Sequence, residues 1–444
     1  MKRKRIPTRP TFRLPCAVER LDARVLLSGI PAHSPLQVKP LAYSAVSPNR
    51  PVMPFATPSK KATYIDPTVS VQNGTSVVLG FQNFIGPYAS LNGGGGAIKI
   101  GNTSSILDNA TIIANPGLRN QSPQVLIGDQ VVIGFNARVE GPSVIGDFGT
   151  ASSPTSIGAG ALIDGAVIEP GAIVSPRARV GPGVTVPTGF RVLPGANVTT
   201  DAEASKPALG KVVPVVASDI ATIKSTISEN ESLAAGYVTL YQGNSATGVS
   251  PGASPNITGI NNGNLAAILG ANLQPGPTSA SFEPSKTGPE FVSPRLGLVG
   301  VQLGNFPARL TGRVVIDMQA LDAAHRLGRA NAIRADQGQP ITIGSIAKTG
   351  RHVSINSPLG GTLAIGEQFS TGSNVVVLSG AKVNAVIGDN VRIDSGAVVV
   401  QTSIGSNSTV GQGAYLANST FPAHTVIPAD AIYVNNKFLG YVQW

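Results

Sequence analysis

The 444-residue sequence has one cysteine, Cys16, and four histidines, His33, His325, His352 and His424. A single cysteine excludes a disulfide framework and a thiolate metal site in the body of the chain. Residues 62–245 contain neither histidine nor cysteine, so no imidazole chemistry can come from that half. Charged residues make up only 13% and aromatic residues 5%, which argues against a helical bundle. There is no run of 18 apolar residues, so no transmembrane helix is expected. The net charge of +10 is concentrated in residues 1–30, which hold eight basic and two acidic side chains; the remainder carries 25 basic and 21 acidic. A basic tail alone gives no reason to expect specific nucleic-acid binding.

What the chain does have is glycine (52), proline (35) and a spacing of branched residues near six. Ile127, Ile133, Val139, Ile145, Ile157, Ile163, Ile168, Val174, Val180 and Val186 carry it. Ile387, Ile393, Val399, Ile404, Val410 and Leu416 carry it again. A period of six fits neither a helix at 3.6 nor a lone strand at 2. It fits a parallel β-helix, in which each hexapeptide forms one flat side and three sides make a coil. The branched residue points inward and small residues turn the corner. Steps of five, as from Ile163 to Ile168 and from Val399 to Ile404, shorten a corner, which a solenoid tolerates because each coil touches only its neighbours. A Val/Ile-rich sandwich is the competing fold, but its strands would return every 8–12 residues.

In chain order, residues 1–30 read as a basic targeting tail without the apolar run of a secretory signal. The Pro/Ser/Ala-rich stretch 31–61 is a linker. The first repeat block with a C-terminal helical segment spans 62–241, and the uncharged Gly/Pro/Ser/Asn-rich stretch 242–290 is a second linker. The second block spans 291–444. Residues 217–227 and 229–237 have helical spacing, with Ser228 as an N-cap candidate, giving one or two helices along the first β-helix. A short helix is expected at 317–329. Asn435-Asn436 between apolar runs predicts a hairpin that covers the last coil.

Several segments resemble the γ-class carbonic anhydrases, a hexapeptide-repeat family of left-handed β-helices. Ile85-Gly86-Pro87-Tyr88-Ala89-Ser90-Leu91 is similar to the family's Ile-Gly-Pro-x-Ala-x-Ile. Val139-Glu140-Gly141-Pro142 is similar to its Val-His-Gly-Pro, and residues 194–204 to its Pro-Ala-Gly-x-x-Val-Thr-x-x-Ala-Glu-Ala. Leu233-Ala234-Ala235-Gly236-Tyr237 is similar to its C-terminal helix. In the second block, residues 332–341 are similar to Ala-x-Ile-Arg-x-Asp-x-Gly-x-Pro-Ile. The likeness covers most of both blocks and implies a tandem duplication. The tail segment Val18–Ser28 resembles the Glu-x-Leu-x-x-Arg-x-Leu-Leu-Ser start of exported bacterial surface proteins. It implies export or surface location, the alternative being the cytoplasm.

The resemblance also implies a zinc site of three histidines between subunits of a trimer, where the metal lowers the pKa of bound water to about 7. Here the histidine positions fall at Ile113, Phe135 and Glu140 in the first block and at Asn356, Ser373 and Leu378 in the second. The family's Arg and Asp fall at Asn92 and Gly94, and its Gln at Leu107 and Gly350; only Arg334 and Asp336 match. The expectation is a structural or assembly module without zinc or any other cofactor, forming a trimer-like homo-oligomer, with Arg334 and Asp336 at an interface. Two alternatives stay open. One is an active carbonic anhydrase with a rearranged site drawn from His325, His352, Asn356, Glu367 and His424. The other is a hexapeptide-repeat acyltransferase, which needs a histidine base.

Overall fold

A computed structural model describes residues 63–241 and 308–444, apart from short stretches at 67, 73–76, 81, 95, 115–123, 150–152, 313, 317–325, 338–340, 359–360 and 381–382. The tail, both linkers, the start of the second block and most of the expected 317–329 helix lie outside the described residues; 327–329 are not helical. The chain forms a left-handed parallel β-helix in two blocks. Each block has three sheets whose strands lie in successive coils: eight, seven and six strands in the first, and eight, six and five in the second.

The six-residue period becomes columns. On one sheet of the first block Ile65, Ile85, Ile106, Ile133, Ile157, Val174 and Val192 stack in register and point inward. The other branched residues of the repeat complete the same closed core with Ala110, Ala137, Ala161 and Ala178. In the second block Ile333, Ile355, Val377, Val399 and Leu416 form the matching column. Small residues at the inner corners keep the column narrow enough for coils spaced at about 4.8 Å.

Corners are made by left-handed residues. Asn109, Asn136, Gly160, Arg177 and Gly195 turn one corner of the first block at φ between 55° and 67°. His352, Asn374, Gly396, Gly413 and Asp430 turn a corner of the second. Asparagine reaches this conformation at low cost because its short amide can bond locally. Glycine is required for another reason at Gly158, whose φ is ordinary. A Cβ there would lie 2.4 Å from Pro176 N and 2.6 Å from Ser175 C in the next coil.

Each block ends differently. The first closes with helix α1 (Asp201–Ser205), which is N-capped by Thr200 and buries Ala204. The antiparallel strand Val212–Pro214 follows. Helix α2 (Ala217–Tyr241) then runs back along the outside, contacting the strands at Tyr64–Ile65, Phe84–Ile85 and Val131–Ile133. The sequence allowed a break at Ser228. The helix is continuous there, and the Ser228 carbonyl accepts a hydrogen bond from Ser232 Oγ at 2.9 Å. One uninterrupted helix keeps Ile223, Ile227, Leu233 and Ala234 buried on the apolar outer face of the sheet. The second block ends in the expected hairpin, with Asn435 and Asn436 both left-handed.

The two blocks lie side by side with their coils running the same way. Asn109 meets Ser354, Gly160 faces Val398, and Gly195 faces Ile432 and Val442. Trp444 Nε1 donates to Arg177 O at 2.6 Å, and the Arg177 guanidinium lies 5.1 Å from the Trp444 ring centre. Outward residues of both facing sheets, among them Phe84, Val132, Val376, Val398 and Tyr415, share one apolar layer with α2. The Tyr415 hydroxyl, pushed up to about 12 by burial and partly offset by Arg191, stays neutral in that layer.

Gly158→Ala should destabilise the first block by about 1–3 kcal/mol, because an added methyl forces two coils apart. Ile163→Ala should cost about 2–5 kcal/mol, as for a fully buried aliphatic side chain. Denaturant unfolding of each variant beside the parent measures both; an unchanged Gly158→Ala midpoint would contradict the stacking distance.

Candidate functional site

The best candidate is a polar cluster in the seam between the blocks. Its centre is Arg334, on the strand Asn331–Ala335 of the second block, only 1% exposed. Arg334 Nε donates to Asp108 Oδ2 of the first block at 2.8 Å, and Nη1 donates to Asp336 Oδ2 at 2.8 Å. Its guanidinium also lies 5.2 Å from the Phe84 ring centre. Both carboxylates are fully buried. Asp108 fits because the neighbouring coil has Gly86 beneath it; a Cβ on Gly86 would lie 2.5 Å from Asp108 Oδ1. Tyr64 Oη donates to Asp66 Oδ2 at 2.8 Å in an adjacent coil.

Beside this ion cluster is a network of amides. Asn109 Nδ2 donates to Ser354 Oγ at 3.0 Å, and Ser354 Oγ donates to Asn136 Oδ1 at 3.2 Å. Asn136 Nδ2 donates to the His352 carbonyl at 2.9 Å, and His352 Nδ1 lies 3.1 Å from Asn109 Oδ1. With Asn109 Oδ1 as an acceptor, Nδ1 of His352 carries the proton in this arrangement. Burial, reinforced by Arg351, holds the His352 imidazole below the usual histidine range. Its ring is thus neutral at physiological pH and serves as a donor across the seam.

Burial raises the Asp108 carboxyl to about 6 despite Arg334, whose charge and hydrogen bond pull the other way; Asp336 and Asp66 add to the rise. Next to Arg334 in register is Asn356, 1% exposed, whose Oδ1 and Nδ2 both lack a hydrogen-bond partner. Asp108 Oδ1 likewise lacks one. Buried amides without partners cost about 1–3 kcal/mol per group. The seam therefore concentrates unmet polar groups as well as charge.

The six positions at which the resemblance implies metal ligands do not meet at one point. Asn356 and Leu378 are register neighbours on the seam sheet of the second block, and Phe135 belongs to the apolar seam layer. Ile113 and Glu140 are register neighbours on a different sheet of the first block, outside its core, and Glu140 pairs with Arg138. Ser373 sits at a corner, where its Oγ accepts from Arg351 N at 3.1 Å. Isoleucine, phenylalanine and leucine have no lone pair for a metal. Glu140 is committed to Arg138, and Asn356 is a neutral amide. This set does not fit zinc.

Among the described residues no three His, Cys, Asp or Glu side chains are grouped to hold a metal. Glu367 adjoins the corner that carries His424, but three coils separate them, or about 14 Å at the usual strand spacing. His352 turns another corner, facing the first block, and His325 lies outside the described residues. Arg334 and Asp336 adjoin the seam, and the partner of Arg334 there is in the same chain. Sequence reasoning passed over Asp108, Asn109 and Asn136. The available signal was Asp108-Asn109 and Asn136 at coil corners, next to positions where hexapeptide repeats place small residues.

Arg334→Ala should destabilise the chain by about 3–5 kcal/mol, since it leaves Asp108 and Asp336 buried without their shared cation. The Asp108 carboxyl binds its proton more tightly folded than unfolded, its pKa rising from 3.8 to about 6. The unfolded chain therefore holds fewer protons between those values, and stability falls as pH rises. The contribution is fully present below pH 3.8 and is lost as pH passes about 6. The stability difference between parent and Asp108→Asn, measured by urea unfolding from pH 4 to pH 7, should drift in that direction and level off above 6. A drift of opposite sign would mean that Arg334, and not burial, governs the carboxyl.

No family model matches the chain, and no curated protein does. The solved structures to which it is similar match at low identity and low TM-score. A hexapeptide transferase family protein from Anaplasma phagocytophilum is 16% identical, with a TM-score of 0.21, over 39% of this chain and 92% of its own. A Bacillus cereus putative acetyltransferase is 18% identical, with a TM-score of 0.22, over 40% of this chain and 94% of its own. A putative acetyltransferase from Desulfovibrio desulfuricans is 13% identical, with a TM-score of 0.27, over 84% of this chain and 70% of its own. The chain's own coils make it a hexapeptide-repeat β-helix in two blocks.

Proposed function

We propose that the chain is a γ-carbonic-anhydrase-like protein that has given up metal chemistry and acts as a structural or assembly module. One observation carries this reading. Arg334, the best-matched residue of the resemblance, spends its guanidinium on Asp108 and Asp336 and cross-links the two blocks. A buried cation held by two carboxylates is a rigid joint between the blocks. The substituted positions Ile113, Phe135, Glu140, Asn356, Ser373 and Leu378 support the same reading, because carbonic anhydrase chemistry needs three imidazoles and a bound water.

In this reading the duplication brings into one chain a contact that separate subunits would otherwise make. The product is a stiff double rod with its own internal seam. Further copies add to it as a homo-oligomer, and the tail motif would direct it to the cell exterior.

Elemental analysis of the purified full chain tests the proposal directly. No stoichiometric zinc, iron or cobalt is expected, and no CO₂ hydration above the uncatalysed rate. About one metal per chain together with hydration activity lost on His352→Ala would overturn it in favour of a rearranged metal site.

A further inference from the structure

The two ends of the seam are closed by different means. At one end Arg334 is buried between Asp108 and Asp336. At the other, residues 442–444 cross from the second block to the first. Val442 N donates to Asp430 O at 2.8 Å, which anchors the segment on its own block. Gln443 N then donates to Gly195 O at 2.8 Å, and Gln443 Oε1 accepts from Asn197 N at 3.0 Å, both on the first block. Trp444 Nε1 donates to Arg177 O, and the Arg177 guanidinium faces its ring. Successive corners at Asn109, Asn136, Gly160, Arg177 and Gly195 set the two ends four coils apart, about 19 Å at the usual strand spacing.

The contacts at the second end are of a kind that opens. Those of Gln443 Oε1 and Trp444 Nε1 lie at the surface, and Trp444 itself is 38% exposed. A surface hydrogen bond exchanges for one to water at small net cost, whereas parting Arg334 from Asp108 strands a buried charge. Arg177 is only partly satisfied: its Nε is buried without a hydrogen-bond partner, although Asp430 favours its charge. Gly413 leaves it room, since a Cβ there would lie 3.0 Å from Arg177 Nη2. Ile432 is buried in the apolar seam layer, and Val442 packs against that layer. A Cβ on Gly195 would lie 2.6 Å from Ile432 Cδ1 and 3.1 Å from Val442 Cα, so the first block, the layer and the segment meet there. Segments held by few buried contacts and exposed hydrogen bonds are the first to open in a native protein.

We propose that residues 442–444 are a releasable strap across the seam, and that the seam opens from this end, uncovering Ile432, when the strap lifts while the Arg334 joint stays closed. Val442 remains bonded to Asp430, so the lifted segment stays with the second block. Gly195, Asn197 and Arg177 are then freed together. The apolar layer parts at one end, and the ion cluster at the other serves as the hinge. This inference goes beyond the module reading and does not depend on whether the chain binds a metal.

Trp444 is the sole tryptophan of the chain, so its fluorescence reports the strap. In urea the emission of the full chain should change at a lower concentration than its far-UV circular dichroism. Arg177→Asn removes the guanidinium and keeps a residue that tolerates the left-handed corner at φ 58°. It should raise amide exchange at Asn197 and Gln443 about two- to fivefold, the factor for an exposed cation–π contact, and leave the Arg334 Nε proton protected by Asp108. Gln443→Ala, which touches neither core, should make Trp444 more accessible to acrylamide. Coincident fluorescence and dichroism transitions, unchanged exchange in Arg177→Asn, unchanged quenching in Gln443→Ala, or protection lost at Arg334 Nε together with Asn197 would each overturn the proposal. Metal content and CO₂ hydration bear on the module reading alone.

Discussion

The guanidinium of Arg334 is closed off from water between Asp108 of one solenoid and Asp336 of its own, with the Phe84 ring beside it. Removing an arginine and two carboxylates from water costs several kcal/mol per ion, and their attraction offsets that only when the geometry is good. The joint is therefore a poor source of net stability and a good source of specificity. Slipping the blocks by one coil would bury Asp108 without its cation, while Arg334 would keep Asp336 within its own block. The apolar layer of Val132, Val376, Val398 and Tyr415 holds the blocks together without direction. The ion cluster and the Asn109–Ser354–Asn136–His352 network supply the register.

Repeat architecture explains why such a seam can form at all. Corners of stacked coils recur every turn in the same conformation, so a block presents a straight row of left-handed residues. Two such rows can lie against each other over many coils. Arg177 reaches over Gly396 and Gly413, and Gly195 lies against Ile432 and Val442. The absence of a side chain at those glycines lets the arginine and the tail cross.

The block ends show the other side of the same physics. A solenoid must stop somewhere, and its last coil exposes both a core column and a strand edge. The first block meets this with α1, the strand Val212–Pro214 and the start of α2. The second meets it with an aromatic hairpin that forms the last strand pair of its sheet. The two block ends thus differ within one chain.

The β-helix was written in the sequence because a period of six has only one packed solution. Ile127 through Val186 and Ile387 through Leu416 could be assigned inward without coordinates. Asn435-Asn436 specified its hairpin for a similarly local reason, since both residues tolerate left-handed backbone. The side-by-side pairing of the blocks was beyond reach. It depends on Asp108 and Arg334, 226 residues apart, meeting over Gly86. Helix α2 ran through Ser228 because the apolar face of a sheet decided its length, and local capping preference did not. Period and turn chemistry are local and legible, whereas the partner of a buried charge is fixed only when distant coils come to lie at the same height.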